Sequence, residues 1–151
     1  MQEIHPTAII GKNVKLGDQL KIDSFVIIGN NVVIGENVSI KPFCEIRDGC
    51  KIGSNVSFGS RCTLAEDTIV KDDVIIKYGV VATNTPNLEK EKRIPCELKE
   101  GSKFGANVTL MPGITIGKNS EIGACSQVRH DVPDNEIWYG SPAKFFKKVN
   151  S

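Results

Sequence analysis

A chain of 151 residues, 40% hydrophobic and 25% charged, is long enough for one domain with its own core. Its 19 Lys and Arg and 18 Asp and Glu nearly cancel, so there is no whole-molecule field of the kind that draws nucleic acid or an anionic membrane, and any anion site must be local. No apolar run approaches the roughly 18 residues of a membrane span, and the start MQEIHPTAIIGKN lacks a basic stretch leading into an apolar one, so no membrane partner and a cytoplasmic location are expected.

Every sixth residue from Ile4 is large and apolar: Ile10, Leu16, Ile22, Ile28, Ile34, Ile40, Ile46, Ile52, Phe58, Leu64, Val70 and Ile76. Ile, Leu, Val and Phe make up 44 of the 151 residues, so thirteen consecutive hits would arise by chance roughly 1 time in 10 million. A helix repeats apolar residues every three or four positions and a hairpin strand every two. A period of six fits a solenoid of short strands joined by tight turns, hence an all-β parallel β-helix of hexapeptide repeats over residues 1–151.

Two residues before each large aliphatic lies a smaller apolar one (Val14, Val26, Val32, Val38, Cys44, Cys50, Val56, Cys62, Val74, Val80), and alternate strand residues share a face, so both sets point inward. Three residues after it stand Asn13, Asn31, Asn37, Gly49, Asn55, Gly79, Asn107, Gly113 and Asn119, types that tolerate positive φ and so mark corners. With three rungs per coil, residues 18 apart stack. Three of the five cysteines fall on inward positions and none forms a Cys-x-x-Cys pair, so they read as reduced core fillers.

After Ile76 the frame runs through Val80 and Ala82, then disappears, and it returns shifted at Phe104, Leu110, Ile116, Ile122 and Val128. If Leu98 resumes the rung that Ala82 left, 16 extra residues have been inserted. The interruption has two prolines, a charge run and no period, which predicts an excursion loop over about 83–98.

Beyond the loop, Gly105-Ala106 and Gly123-Ala124 are 18 apart, and Ser141-Pro142 is 18 further along. Stacked on one edge, these small residues would form a smooth strip against which a thin ligand arm can lie and bond to the backbone. A tail over about 133–151, expected to include a short helix, closes the chain.

Hexapeptides such as VVIGENVSI and IGSNVSF resemble those of the left-handed β-helix transferases, over nearly the whole chain. Residues 105–146 resemble the last coils and tail of the acetyl-coenzyme A-dependent members, and Gly140-Ser141-Pro142-Ala143-Lys144 matches their usual Gly-x-Pro-Ala-Lys ending. The resemblance implies a left-handed helix and a homotrimer in which the loop reaches a neighbouring subunit. It also implies acetyl-coenzyme A as co-substrate, its pantetheine arm along Gly105, Ala106, Gly123, Ala124 and Pro142, and its phosphates met by Lys144, Lys147 and Lys148.

Many O-acetyltransferases on this fold carry a histidine base in or beside the loop. This loop has none. His5 lies in an Ile-His-Pro-Thr-Ala opening that resembles the family's first coil, and His130 stands one coil past the strip. An amine acceptor is nucleophilic once uncharged and does not require that base. Asp72-Asp73-Val74 followed by Thr83-Asn84 is similar to the 3-amino-sugar N-acetyltransferases that act on nucleotide-linked sugars, precursors of surface glycans such as lipopolysaccharide. That similarity implies Asn84 beside the reacting amine, with Thr83 and Tyr78 contacting the acceptor. It weakens at Thr85-Pro86-Asn87, which leaves the sugar and its nucleotide open. No metal is expected, because the third histidine and the ligand spacing of a β-helix carbonic anhydrase are missing. An O-acetyltransferase and a non-catalytic assembly subunit are the rival readings.

Overall fold

A computed structural model describes residues 1–89 and 92–150; Lys90 and Glu91 of the expected loop and Ser151 of the expected tail lie outside the described residues. The chain winds as a parallel β-solenoid with three faces, each rung a strand of two or three residues. The first face begins Gln2–Ile4, Leu20–Ile22, Ser39–Ile40, Ser57–Phe58 and Ile75–Ile76; the second Ile9–Ile10, Ile27–Ile28 and Glu45–Ile46; the third Lys15–Leu16, Val33–Ile34 and Lys51–Ile52.

Register follows the repeat. Ile40 pairs with Phe58 and Phe58 with Ile76, steps of 18, and backbone bonds such as Ile27 N–H to Cys44 O (2.9 Å) run from coil to coil. The large aliphatics form columns inside the prism, Ile22, Ile40, Phe58 and Ile76 each at most 2% exposed. Only the first coil departs: Ile4 is 37% exposed, and Ile10 and Leu16 are half-buried.

Every corner residue expected at positive φ adopts it, as at Asn31 (59°), Gly49 (75°) and Asn107 (59°). So do residues in the same frame that dislike it, including Phe25, Phe43, Arg61 and Cys125, because the coil demands the turn whichever side chain occupies it. Asparagine and aspartate corners add a gain of their own. Asn37 donates to Asn55 (2.9 Å) and Asn55 to Asp73 (3.1 Å), a ladder parallel to the axis.

The small inward positions include four thiols. Cys44, Cys50, Cys62 and Cys96 are buried, and each donates to a corner carbonyl 15 residues on, at Gly59, Ala65, Lys77 and Met111, at 2.9–3.2 Å. Burial pushes the Cys50 thiol up to about 12 and raises that of Cys96. The core-filler reading of Cys44, Cys50 and Cys62 holds.

Two expectations are corrected. Leu98 does not resume the rung of Ala82: Val81–Ala82 lies on the second face, whereas Glu97–Leu98 pairs with Ile69–Val70 on the third. The step from Val70 to Leu98 is 28 residues, one coil of 18 plus ten, so the loop adds ten residues and not 16. The expected terminal helix is a β-hairpin, Glu136–Gly140 against Ala143–Lys148, continuing the first face after Glu121–Ile122. The β-favouring run Ile137-Trp138-Tyr139 meets an unpaired strand edge there, and Gly140 at φ 116° followed by Pro142 forces a turn.

Candidate active site

The edge between the first and second faces carries Ser60, Tyr78, Ala106 and Ala124 at equivalent positions in successive coils, each two residues past a large inward apolar residue. The expected strip therefore exists along two coils. Its glycines have a packing reason of their own: a Cβ on Gly105 would lie 2.6 Å from Ala124 N, and one on Gly123 2.7 Å from Tyr139 Cβ. Gly53, far from the strip, is equally crowded, with Asp72 N at 2.8 Å. What sets the strip apart is Ala106 and Ala124, where other coils carry larger side chains. A depression of about 390 Å³ borders it on the first face, lined by Gly105, Gly123, Lys77, Lys103 and Glu121.

The strip does not continue into Ser141-Pro142 as the 18-residue spacing suggested. Ile122 pairs with Trp138, a step of 16, so Tyr139 covers Gly123 and Pro142 sits in the hairpin turn. The last coil is two residues short: after Gln127–Val128 the chain reaches the third face at Val132, which pairs with Ile116, a step of 16, through an isolated parallel bridge and not a strand. Lys144 stands opposite Tyr139 on the hairpin, and both border a hollow of about 370 Å³ with Pro142 and Phe146. The Lys147 ammonium lies 5.6 Å from the Phe146 ring centroid, while Lys148 pairs with Glu136 at 2.9 Å.

Asn84 and Thr83 stand on a different edge, between the second and third faces. Asn84 is 5% exposed and fully engaged: its amide donates to the Glu66 carbonyl and to Glu66 Oε2 (both 3.2 Å), and its Oδ1 accepts from the Thr85 hydroxyl (3.0 Å). Its own carbonyl accepts from Ile94 N–H (2.7 Å), which pins the returning end of the loop. Thr83 donates its hydroxyl to Leu110 O (2.8 Å). Arg47 reaches Glu66 at 3.3 Å. The Glu66 backbone amide, the Asn84 side chain and Arg47 hold the Glu66 carboxyl below its usual range, so it is anionic at neutral pH.

His130 occupies this same edge two coils beyond Asn84, not the strip's edge. Within the chain, then, Tyr78 shares one edge with Gly105, Ala106, Gly123 and Ala124, the expected Pro142, Lys144 and Lys147 lie on the terminal hairpin, and Asn84, Thr83 and His130 share another edge. Glu66 and Arg47 were not foreseen, although the 18-residue spacing from Glu66 to Asn84 is the signal that pairs them.

A solenoid of six-residue rungs, three to a coil and broken by one excursion loop, is the architecture of a hexapeptide-repeat protein. Residues 13–48, 31–65 and 95–130 match the bacterial transferase hexapeptide (six repeats) model, and residues 49–84 match the hexapeptide repeat of succinyl-transferase. The chain belongs to the bacterial transferase hexapeptide family.

Among curated relatives, the galactoside O-acetyltransferase of Lactococcus lactis is 45% identical over 53 residues, which are 35% of this chain and 26% of that protein. The chain thus matches about a quarter of that relative's length. A Bacillus cereus protein assigned as an acetyltransferase superposes with a TM-score of 0.78 at 24% identity, over 96% of this chain and 86% of that one. AntD, an N-acyltransferase from Bacillus cereus solved with dTDP-4-amino-4,6-dideoxyglucose and coenzyme A, superposes with a TM-score of 0.69 at 20% identity, over 100% of this chain and 93% of that one. At these identities the two structures establish a shared fold.

Proposed function

We propose that this chain is an acetyl-coenzyme A-dependent N-acetyltransferase that acts on the amino group of a nucleotide-linked amino sugar, as a homotrimer with each site built between two protomers. The observation that carries this reading is the first edge itself. It runs from Tyr78 over the small residues Ala106 and Ala124 to Tyr139 and Lys144. Ala106 and Ala124 leave room there for a pantetheine arm, and Lys77 and Lys103 stand beside it with Glu121 among them, while Lys144 stands at the hairpin end.

Asn84 and the strip lie on separate edges, so a protomer alone would leave Asn84 and the Glu66 it holds remote from the donor. Packing one protomer's second edge against its neighbour's first edge removes that separation, and closed cyclic symmetry is the usual outcome of such heterologous contacts. Asn84 is enclosed and occupied, so it acts by positioning Glu66, whose carboxylate anchors the acceptor's ammonium. The ammonium first releases one proton to solvent, and the uncharged amine then forms a bond to the thioester carbonyl carbon. The carbon–sulfur bond breaks, and the departing thiolate takes the proton lost by the amine, giving amide and free coenzyme A.

Isothermal titration with coenzyme A, followed by thiol release over a panel of nucleotide-linked amino sugars, tests the proposal. A protein that binds no coenzyme A sinks it. One observation favours a second reading: His130 shares an edge with Asn84, where it could deprotonate a hydroxyl acceptor, as an O-acetyltransferase would need.

A further inference from the structure

We propose that the N-terminal half of the first edge is a nucleotide subsite, which takes the base and diphosphate of the acceptor. This rests on the nucleotide-linked acceptor of the preceding section. The corner residues of this edge in three successive coils are Phe25, Phe43 and Arg61, where the other positive-φ corners hold asparagine, aspartate or glycine, with Gln19 and Cys125 as exceptions. Phe25 and Phe43 sit at φ 58° and 67°, a conformation bulky side chains disfavour. Their rings stack with centroids 5.3 Å apart and planes 12° apart, yet they remain 54% and 59% exposed. Two rings that take a disfavoured backbone conformation and then stay in solvent contribute little to the core.

Phe43 forms one wall of a groove of about 690 Å³ with Lys41, Ser60, Arg61 and Tyr78. The Arg61 guanidinium carbon lies 5.8 Å from the Tyr78 ring centroid. Among the described residues, the groove is lined by two cations and no carboxylate. A flat apolar face flanked by paired positive charge selects a planar ring that carries anionic groups, which is the chemistry of a nucleotide. A free sugar lacks both the plane and the charge, and a fatty chain lacks the charge.

The groove also points the right way. Tyr78 immediately precedes Ala106 in the column, with Asn107 N–H donating to Tyr78 O at 2.9 Å, so the groove opens onto the strip. A nucleotide seated on Phe43 would leave its sugar toward the donor arm. Coenzyme A carries a nucleotide of its own, for which Lys144 stands at the opposite end of the edge.

The test is isothermal titration of the intact protein with UDP, dTDP, adenosine 3′,5′-bisphosphate and coenzyme A, for wild type, Phe43→Asn and Arg61→Ala. Asparagine suits positive φ, so Phe43→Asn should melt at or above the wild-type temperature. The expected result is that UDP or dTDP binding weakens about tenfold or more in both variants, while coenzyme A affinity is unchanged. Unchanged UDP and dTDP affinity in both variants would overturn the subsite and leave the acceptor reading intact. Loss of adenosine 3′,5′-bisphosphate binding in their place would overturn the acceptor assignment in favour of the coenzyme. If coenzyme A binds wild type and neither UDP nor dTDP does, the subsite and the nucleotide part of the acceptor reading both fail. A lower light-scattering mass for Phe43→Asn would overturn the subsite by making the groove a contact between subunits.

Discussion

Asn84 donates its side-chain amide to Glu66, 18 residues earlier and one coil away, at 3.2 Å to both the backbone carbonyl and the carboxylate. The proposed roles make the two a unit. Asn84→Ala should lower turnover about 10–1000-fold, the range for a lost polar contact at a reacting centre. Glu66→Gln should do the same, and the double variant should be little worse than either alone. Steady-state kinetics checks this, and additive losses would mean the two act separately. His130→Ala should cost far less. Should it abolish activity while Asn84→Ala keeps most of it, the histidine-assisted reading replaces this one.

The pH profile separates the mechanisms further. A substrate amine that must lose its proton makes kcat/KM rise with pH along the free sugar's own amine titration, whereas a histidine base would give a limb near 6.5. Glu66 adds none there, since its carboxyl is held below the ordinary 4.5. The same depression stabilises the folded state above that value, and the contribution is lost as pH falls through the lower folded value. Glu66→Gln should therefore show a flatter acid limb in melting temperature below about pH 4.5.

Ala124→Trp should raise the KM for the donor at least about tenfold, because the ring would occupy the strip, while the melting temperature stays near wild type with Ile122 and Val128 buried beneath. An unchanged donor KM would put the arm elsewhere.

Thiol titration reads both the core and the strip. Of the five cysteines, Cys125 alone is exposed, directly after Ala124, and the others are buried. A disulfide reagent should modify one thiol quickly in the native protein and five after denaturation, and coenzyme A should slow the first. Fast modification of several native thiols would contradict the packing.

Ile52→Asp tests the frame itself. Ile52 is 3% exposed between Ile34 and the strand of Val70, so a carboxylate there is buried without a partner. The cost of several kcal/mol, against a total stability of about 5–15, should prevent folding. Circular dichroism with a cooperative melt near wild type would refute the repeat assignment.

The inward columns, the corners at Asn31 or Gly49 and the position of the loop were legible because a solenoid repeats one local solution: each depends only on a residue's place within its own hexapeptide. Spacing of 18 likewise paired Gly105 with Gly123. It failed where the count changes. The ten-residue insertion, the 16-residue last coil that puts Tyr139 over Gly123, and the hairpin in place of a helix depend on which strand edge was left unpaired. Nor does a period of six say which edge a residue faces once a loop has intervened. Only the tertiary structure set Asn84 and His130 on one edge, Tyr78 and Ala124 on another, and Arg61 above the Tyr78 ring, because those relations are distances across coils rather than positions within one.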